Sequence, residues 1–322
     1  MNVADHAMIT TIHNQPAMLA RLAASISAQT LKPAQWIIVD NGSDEALARQ
    51  LQATLATARG ENNAGANLAE NLAGVNIELI RQNTRSSLAC ARNAAMARVR
   101  SERISLLEPG ISYAPGFLER MQLLAKKYLP DMLILAYSLP GAAEPEPRQS
   151  TIKQLATPLE PKLYLLRDPL ALLGTQDFQI RLGSNICYRR EFLQTLRYDE
   201  TLDCFEDIDL WYRALRAGMA RGPVRCMVES GNYLGLSRRP DAVLTPPLSR
   251  IEAATPPELL LHLSSSEDAH DRLLGELLLR RWLPGSFRHI RSVGGRMRFL
   301  WRHRLLLRRF IGLRRRLAPR PD

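Results

Sequence analysis

An α/β architecture, with a mostly parallel open sheet flanked by helices, is what this 322-residue sequence predicts. Three observations carry the prediction. Short apolar runs alternate with amphipathic helical stretches between residues 6 and 136. The composition, 46% hydrophobic with only 6% aromatic, suits one large core plus an appendage. Polar turn residues stand where the apolar runs end, as they do at the carboxyl ends of strands that feed helices.

The first apolar run is His6 to Ile12, followed by a helical stretch from Pro16 to Gln29 with Met18, Leu19, Leu22, Ala23 and Ile26 on one side. Trp36-Ile37-Ile38-Val39 reads as a strand buried on both faces; it ends in Asp40-Asn41-Gly42-Ser43, before a second helix from Asp44 to Ala56. Residues 59 to 76, rich in Gly, Asn and Ala, read as a loop with some helix, and Ile77 to Ile80 as the third strand. A helix from Ser86 to Val99, a strand from Arg103 to Leu107, a helix from Pro115 to Tyr128 and a strand from Met132 to Ala136 continue the alternation.

The pattern breaks at GAAEPEPRQ, residues 141 to 149, which reads as a loop. Pro158, Pro161 and Pro169 interrupt the next stretch, Ile152 to Leu173, so irregular helix is expected there. GSNICYRREF resumes order as a short strand entering a helix near Arg190, and FEDIDLWYRALRAG, residues 205 to 218, places Leu210, Ala214 and Ala217 at helical spacing. Prolines from Pro240 to Pro257 mark a linker, and a helix from Pro257 through Arg281 follows. Residues 1–240 are thus expected to form the α/β domain and residues 241–322 a linker with a helical, basic extension.

Four cysteines, Cys90, Cys187, Cys204 and Cys226, form no C-x-x-C pair and have no His at ligand spacing, which signals neither a zinc site nor a disulfide framework and fits a reducing cytosol. The first residues lack a basic n-region and an apolar h-region, and no run of about 18 apolar residues occurs, so a cytoplasmic chain is expected. Net charge is +11, but residues 281 to 322 hold 13 Arg and one acid, Asp322; that segment carries +12 and residues 1 to 280 carry −1. On a helical wheel from Arg296 to Leu317, Phe299, Leu306, Phe310, Leu313 and Leu317 share one face, flanked by Leu300, Leu307 and Ile311. Arg298, Arg302, Arg304, Arg308, Arg309, Arg315 and Arg316 lie opposite. Such a helix suits the headgroup plane of an anionic membrane, and that reading is favoured over packing on protein and over nucleic acid, because phosphate binding alone needs no continuous Phe/Leu face.

Chemistry concentrates at the predicted strand ends. Glu206, Asp207 and Asp209 gather in one turn at a helix start, where the macrodipole and free N–H groups favour negative charge and a carboxylate can take a proton from a hydroxyl. TTIHNQ (10–15), VDNGSDE (39–45), SSLACARNAAMARV (86–99), ISLLEPGIS (104–112) and GSNICYRREF…YDETLDCFEDIDLWYRALRAG (183–218) occur in that order.

Together these resemble the family 2 glycosyltransferases of the Rossmann-like GT-A fold, which transfer a sugar from a nucleotide-sugar to an acceptor hydroxyl. The resemblance covers roughly residues 7 to 220 and implies the following roles. Thr11 to Asn14 border the nucleobase; Asp40 accepts hydrogen bonds from base or ribose; Arg92 and Asn93 approach the nucleotide. Asn185 lies near sugar and acceptor, with Gly183 and Ser184 allowing close backbone approach. Asp207 is the general base of an inverting transfer, Glu206 binds acceptor or sugar hydroxyls, and Asp209 with Trp211 and Arg213 orients the acceptor pocket. One departure stands out. Where the family has L-D-x-D, with its last carboxylate on a divalent metal, this chain reads Leu107-Glu108-Pro109-Gly110. Glu108 alone would hold Mg²⁺ or Mn²⁺ weakly; Arg238 and Arg239 could offset the diphosphate charge instead; or the chain could be a catalytically silent subunit that binds nucleotide-sugar or a partner transferase. With the basic extension, the resemblance leads us to expect an enzyme on the inner face of the cell membrane that glycosylates a lipid-linked or surface-polysaccharide acceptor.

Overall fold

The computed structural model describes residues 3–59, 72–109, 111–138, 156–167, 169, 186–193, 196–200 and 206–236, and, in the C-terminal stretch, residues 297, 300, 301, 304, 307 and 308. The expected loop 141–149, linker 240–257 and helix 257–281 lie outside these residues, as do the site candidates Asn185, Arg238 and Arg239 and the neighbouring Gly110, Gly183 and Ser184.

In chain order the elements are β1 (Val3–Ile12), α1 (Pro16–Ser27), β2 (Lys32–Asn41), α2 (Glu45–Arg59), β3 (Asn76–Gln82), α3 (Leu88–Met96), β4 (Arg103–Leu107), β5 (Ile111–Tyr113), α4 (Phe117–Tyr128), β6 (Met132–Ser138), β7 (Ala156–Glu160), β8 (Leu163–Leu166), β9 (Ile186–Arg189), α5 (Arg190–Leu193), α6 (Glu206–Arg221) and β10 (Cys226–Leu236). The strands form one sheet in the order β3-β2-β1-β4-β9-β6-β10-β8-β7, with β5 also pairing with β10. β3-β2-β1-β4 is a parallel block, and β6 runs parallel to β10. β9 enters antiparallel between β4 and β6.

Period-two alternation sends each strand's side chains to two cores. On β2, Ile37 and Val39 join one cluster with Ala91 and Ala95 of α3 and Leu210, Trp211 and Leu215 of α6. Trp36 and Ile38 join the other, with Leu19, Leu22 and Ile26 of α1, Leu51 and Leu55 of α2 and Met121 and Leu124 of α4. A strand buried on both faces has to be apolar throughout, which is why Trp36-Ile37-Ile38-Val39 reads as a continuous run. Local chemistry sets the helix starts. Pro16 opens α1, where its missing N–H leaves no bond unmade. Ser87 caps α3 by accepting the Cys90 N–H at 3.2 Å.

Two segments differ from expectation. Residues 156–166, expected as irregular helix, form the β7–β8 hairpin. The prolines that would break a helix are compatible with the sheet margin: Pro158 sits on the terminal strand β7, and Pro161 precedes Lys162, which turns the chain at φ 69°. β10 is an added strand. Its polar residues Glu229, Ser230 and Asn232 hide the apolar signal, but Cys226, Met227 and Val228 are buried, and β6 and β8 pair with it on either side.

Candidate functional site

β1 lies between β2 and β4, so the connections leaving its two neighbours lead in opposite directions, and it is beyond the carboxyl ends of strands at such a switch point that open α/β sheets hold their ligands. Register places Ile12 beside Asp40 and Thr10 beside Leu107, so Thr11–Asn14, Asp40–Ser43 and Glu108 share this edge.

The two loops on the β1–β2 side hold each other. Asn14, in the left-handed conformation at φ 53°, donates its backbone N–H to Ser43 Oγ (2.9 Å) and its side-chain amide to Asp44 Oδ2 (3.2 Å), and its Oδ1 accepts the Asp44 N–H (2.9 Å). Asp40, 1% exposed, accepts the Ser43 N–H on Oδ1 at 3.0 Å. Beside it Gly42 adopts φ 71°, and a Cβ there would stand 2.3 Å from the Arg85 backbone nitrogen, so only glycine fits the approach of the β3–α3 loop. Asn41 completes this clamp: its Oδ1 accepts the Ser86 N–H and its amide donates to the Ser86 carbonyl. Thr11 Oγ1 is buried at the end of β1 with no hydrogen-bond partner among the described residues. An unmatched polar atom at a strand end suits a ligand that supplies the bond.

On the other side, α3 and α6 converge. Arg92 Nη1 donates to Glu206 Oε1 at 2.7 Å, both side chains being at most 10% exposed. The guanidinium stacks over the Tyr198 ring at 5.3 Å. Burial works against the Arg92 charge, but Tyr198, Glu206, Asp207 and Glu108 more than offset it, and its pKa lies above the ordinary arginine value. Burial pushes the Glu206 carboxyl above the usual carboxylate range; Arg92 opposes this, and the negative charges of Asp207 and Glu108 add to it. Asn93 pins the segment before α6, donating to the Tyr198 carbonyl and to Glu200 Oε1 (both 2.9 Å) and accepting the Tyr198 N–H at 2.8 Å.

Glu206, Asp207 and Asp209 occupy the first turn of α6 as expected. Asp209 Oδ2 receives Arg213 Nε (2.9 Å) and Nη2 (2.5 Å), and that Nη2 also donates to the Arg197 carbonyl at 2.7 Å, tying the helix to the strand-side loop. Trp211 lies 0% exposed in the core and supports the helix from beneath. Asp207, the next residue along, is half-buried.

The structure therefore brings Thr11, Asn14, Asp40 and Glu108 to one sheet edge and joins Glu108 electrostatically to the Arg92–Glu206 pair. Arg92 bonds to Glu206 at the start of α6, and Asn93 to Tyr198 and Glu200 before it. Tyr198 received no role from the sequence, although the Y-D-E triplet eight residues before Glu206 is its signal. The donor set does not make a divalent-metal site by itself: Glu108 is a lone carboxylate near a guanidinium, and among the described residues no group of three or more His, Cys, Asp or Glu side chains is placed to hold a cation.

The family model described as Glycosyl transferase family 2 matches residues 8–197, more than half of the sequence. The chain belongs to that family. Among solved structures, this family 2 chain is similar to S. aureus TarS residues 1–349 in complex with UDP-GlcNAc, at 16% identity, with a TM-score of 0.59, covering 97% of this chain and 79% of that one. It is also similar to the mannosyltransferase PcManGT from Pyrobaculum calidifontis in complex with GDP-Man and Mn²⁺, at 11% identity and a TM-score of 0.56, covering 95% and 81%. No curated protein sequence matches it significantly. At these identities the structural likeness establishes the GT-A fold, and with the family model it makes the chain a glycosyltransferase by family.

Proposed function

We propose that this glycosyltransferase moves a sugar from a nucleoside diphosphate donor to an acceptor hydroxyl with inversion, using Asp207 as general base. The observation that carries the proposal is the division of labour at the start of α6. Glu206 is only 8% exposed and paired with Arg92 at 2.7 Å, whereas its neighbour Asp207, the next residue of the same turn, is half-buried and so more open to solvent. In the reaction the acceptor hydroxyl gives its proton to an Asp207 carboxylate oxygen as its oxygen bonds to the anomeric carbon. The bond from that carbon to the diphosphate breaks on the opposite face, and the nucleoside diphosphate leaves with the electron pair. Thr11 Oγ1 and the Asp40–Ser43 turn receive the nucleoside portion. The Arg92–Glu206 pair ties the first turn of α6 to α3, and with it the backbone that carries Asp207.

The donors in the two complexes above, UDP-GlcNAc and GDP-Man, support a nucleotide-sugar donor here. The +12 charge of residues 281–322 supports an acceptor at a membrane face, lipid-linked or part of a surface polysaccharide. Among the described residues no helix is long and apolar enough to cross a membrane, so association would be peripheral. Mn²⁺ or Mg²⁺, if used, would meet Glu108, with Arg238 and Arg239 as further diphosphate contacts.

Asp207→Asn, measured for transfer and for donor binding with a panel of nucleotide-sugars, tests the assignment. Transfer should fall by about 10³-fold or more while donor binding is retained. Wild-type-like turnover in the variant would remove Asp207 as the base. Donor binding without turnover in the native chain, over a broad acceptor panel, would favour the catalytically silent binding subunit.

A further inference from the structure

We infer that the solvent side of the C-terminal helix, formed by Met297, Trp301, Arg304 and Arg308, is the face with which this protein meets anionic phospholipid headgroups; the inference rests on the membrane-surface reading above. Met297, Leu300, Trp301, Arg304, Leu307 and Arg308 all have helical backbone. Leu307 is half-buried and packs against the core cluster that α3 and α6 share, and Leu300, two turns earlier on the same side, is also half-buried. That side of the helix faces protein. The sequence had assigned Leu300 and Leu307 to the flank of a lipid-facing surface, and tertiary packing reverses this for Leu307.

At i, i+4, i+7 and i+11, Met297, Trp301, Arg304 and Arg308 project together from the helix. Met297 is 63% exposed and Trp301 73% exposed, and both arginines are exposed. The other tryptophans with described side chains, Trp36 and Trp211, are 0% exposed. An indole left mostly in water loses the burial that favours this residue type, whereas at the headgroup level its apolar ring and N–H are both accommodated. The Arg304 guanidinium lies over the Trp301 ring at 5.2 Å, which leaves its fork beside the indole, where a lipid phosphate would sit. Charge complementarity selects the occupant: residues 281–322 carry +12 against −1 for the rest of the chain, so the segment that holds this face is the one whose net charge attracts an anionic surface.

The test uses the full chain carrying Trp282→Phe, so that Trp301 is the one tryptophan outside the core. Vesicles of phosphatidylcholine alone or mixed with phosphatidylglycerol are used for sedimentation, with brominated acyl chains for fluorescence quenching. We expect pelleting with the anionic vesicles only, a blue-shifted and quenched Trp301 emission, and binding weakened about tenfold or more both by Met297→Ser with Trp301→Ser and by Arg304→Gln with Arg308→Gln. The double variants should keep the native thermal midpoint and donor binding. If anionic vesicles pellet the chain but Trp301 stays unquenched and both double variants bind as the native chain does, the face assignment is wrong and the membrane reading stands. If no vesicle binds, the membrane reading itself falls, whatever the chain's activity.

Discussion

Glu206 and Arg92 lie 114 residues apart in sequence and form a buried charge pair where α3 meets α6. Removing one member leaves the other charged and desolvated, so Arg92→Met should destabilise the fold by about 3–5 kcal/mol in urea unfolding. Without the guanidinium, burial, Asp207 and Glu108 all favour protonated Glu206. A raised folded-state carboxyl pKa supports stability below the ordinary carboxylate range and withdraws that support as pH rises through the raised value. The variant's deficit should therefore grow from pH 4 to neutrality, and Arg92→Met with Glu206→Gln should recover most of it. His6 gives the opposite dependence. Burial first, and Arg103 second, lower its pKa from the usual 6.5 to about 3, and its Nε2 shares a 2.9 Å hydrogen bond with Ser105 Oγ. The folded state excludes a proton that the unfolded chain accepts below pH 6.5, so stability present above that value is lost as pH falls towards 3, at about 1.4 kcal/mol per pH unit. Comparing His6→Gln with the native chain at pH 7.5 and pH 5 should show the native chain losing more. The sequence singled out Arg92 and Asn93 by their helix, and they show its limit. A helix position does not reveal which partner a side chain reaches, and these two reach Glu206, Tyr198 and Glu200.

Elements were legible where one signal dominated. β4 spans Arg103–Leu107 as expected, and α1, α2, α4 and α6 lie on their amphipathic stretches, because a helix with one buried face writes its period into the sequence. Strand limits were less clear: β2 runs from Lys32 to Asn41, beyond the four apolar residues that announce it, since pairing with β1 and β3 recruits flanking polar residues. The β7–β8 hairpin was hidden by its prolines and is secured by the pairing of β8 with β10. At the level of loops, Gly42→Ala tests how rigidly the β2 turn is held. A Cβ at φ 71° meets backbone atoms of Thr84 and Arg85 at 2.5 Å or less, and backbone cannot rotate aside as a side chain can. We expect a loss of about 3 kcal/mol by thermal or urea unfolding, with weakened nucleotide binding.

For the whole molecule, ligand linkage is the broadest check on the candidate site. A nucleotide-sugar that binds only the folded chain should stabilise it by about 2.7 kcal/mol at a hundred times its Kd, seen as a raised midpoint in thermal unfolding. Asp40→Asn, which keeps an acceptor for the Ser43 N–H, should lose that rise; an undiminished rise would place the nucleotide elsewhere. The sequence by itself determined the β/α alternation, the placement of polar turns at the carboxyl ends of parallel strands, the carboxylates opening α6 and the concentration of charge in the last segment. Each is recorded within a few turns or strands of chain, the range over which periodicity and capping act. Only the tertiary structure decided that β9 enters antiparallel between β4 and β6, that Arg92 neutralises Glu206, and that Leu307 turns inward while Trp301 and Arg304 face solvent. Those outcomes depend on which surfaces remain uncovered once the sheet has formed, and residues far apart in the chain settle that together.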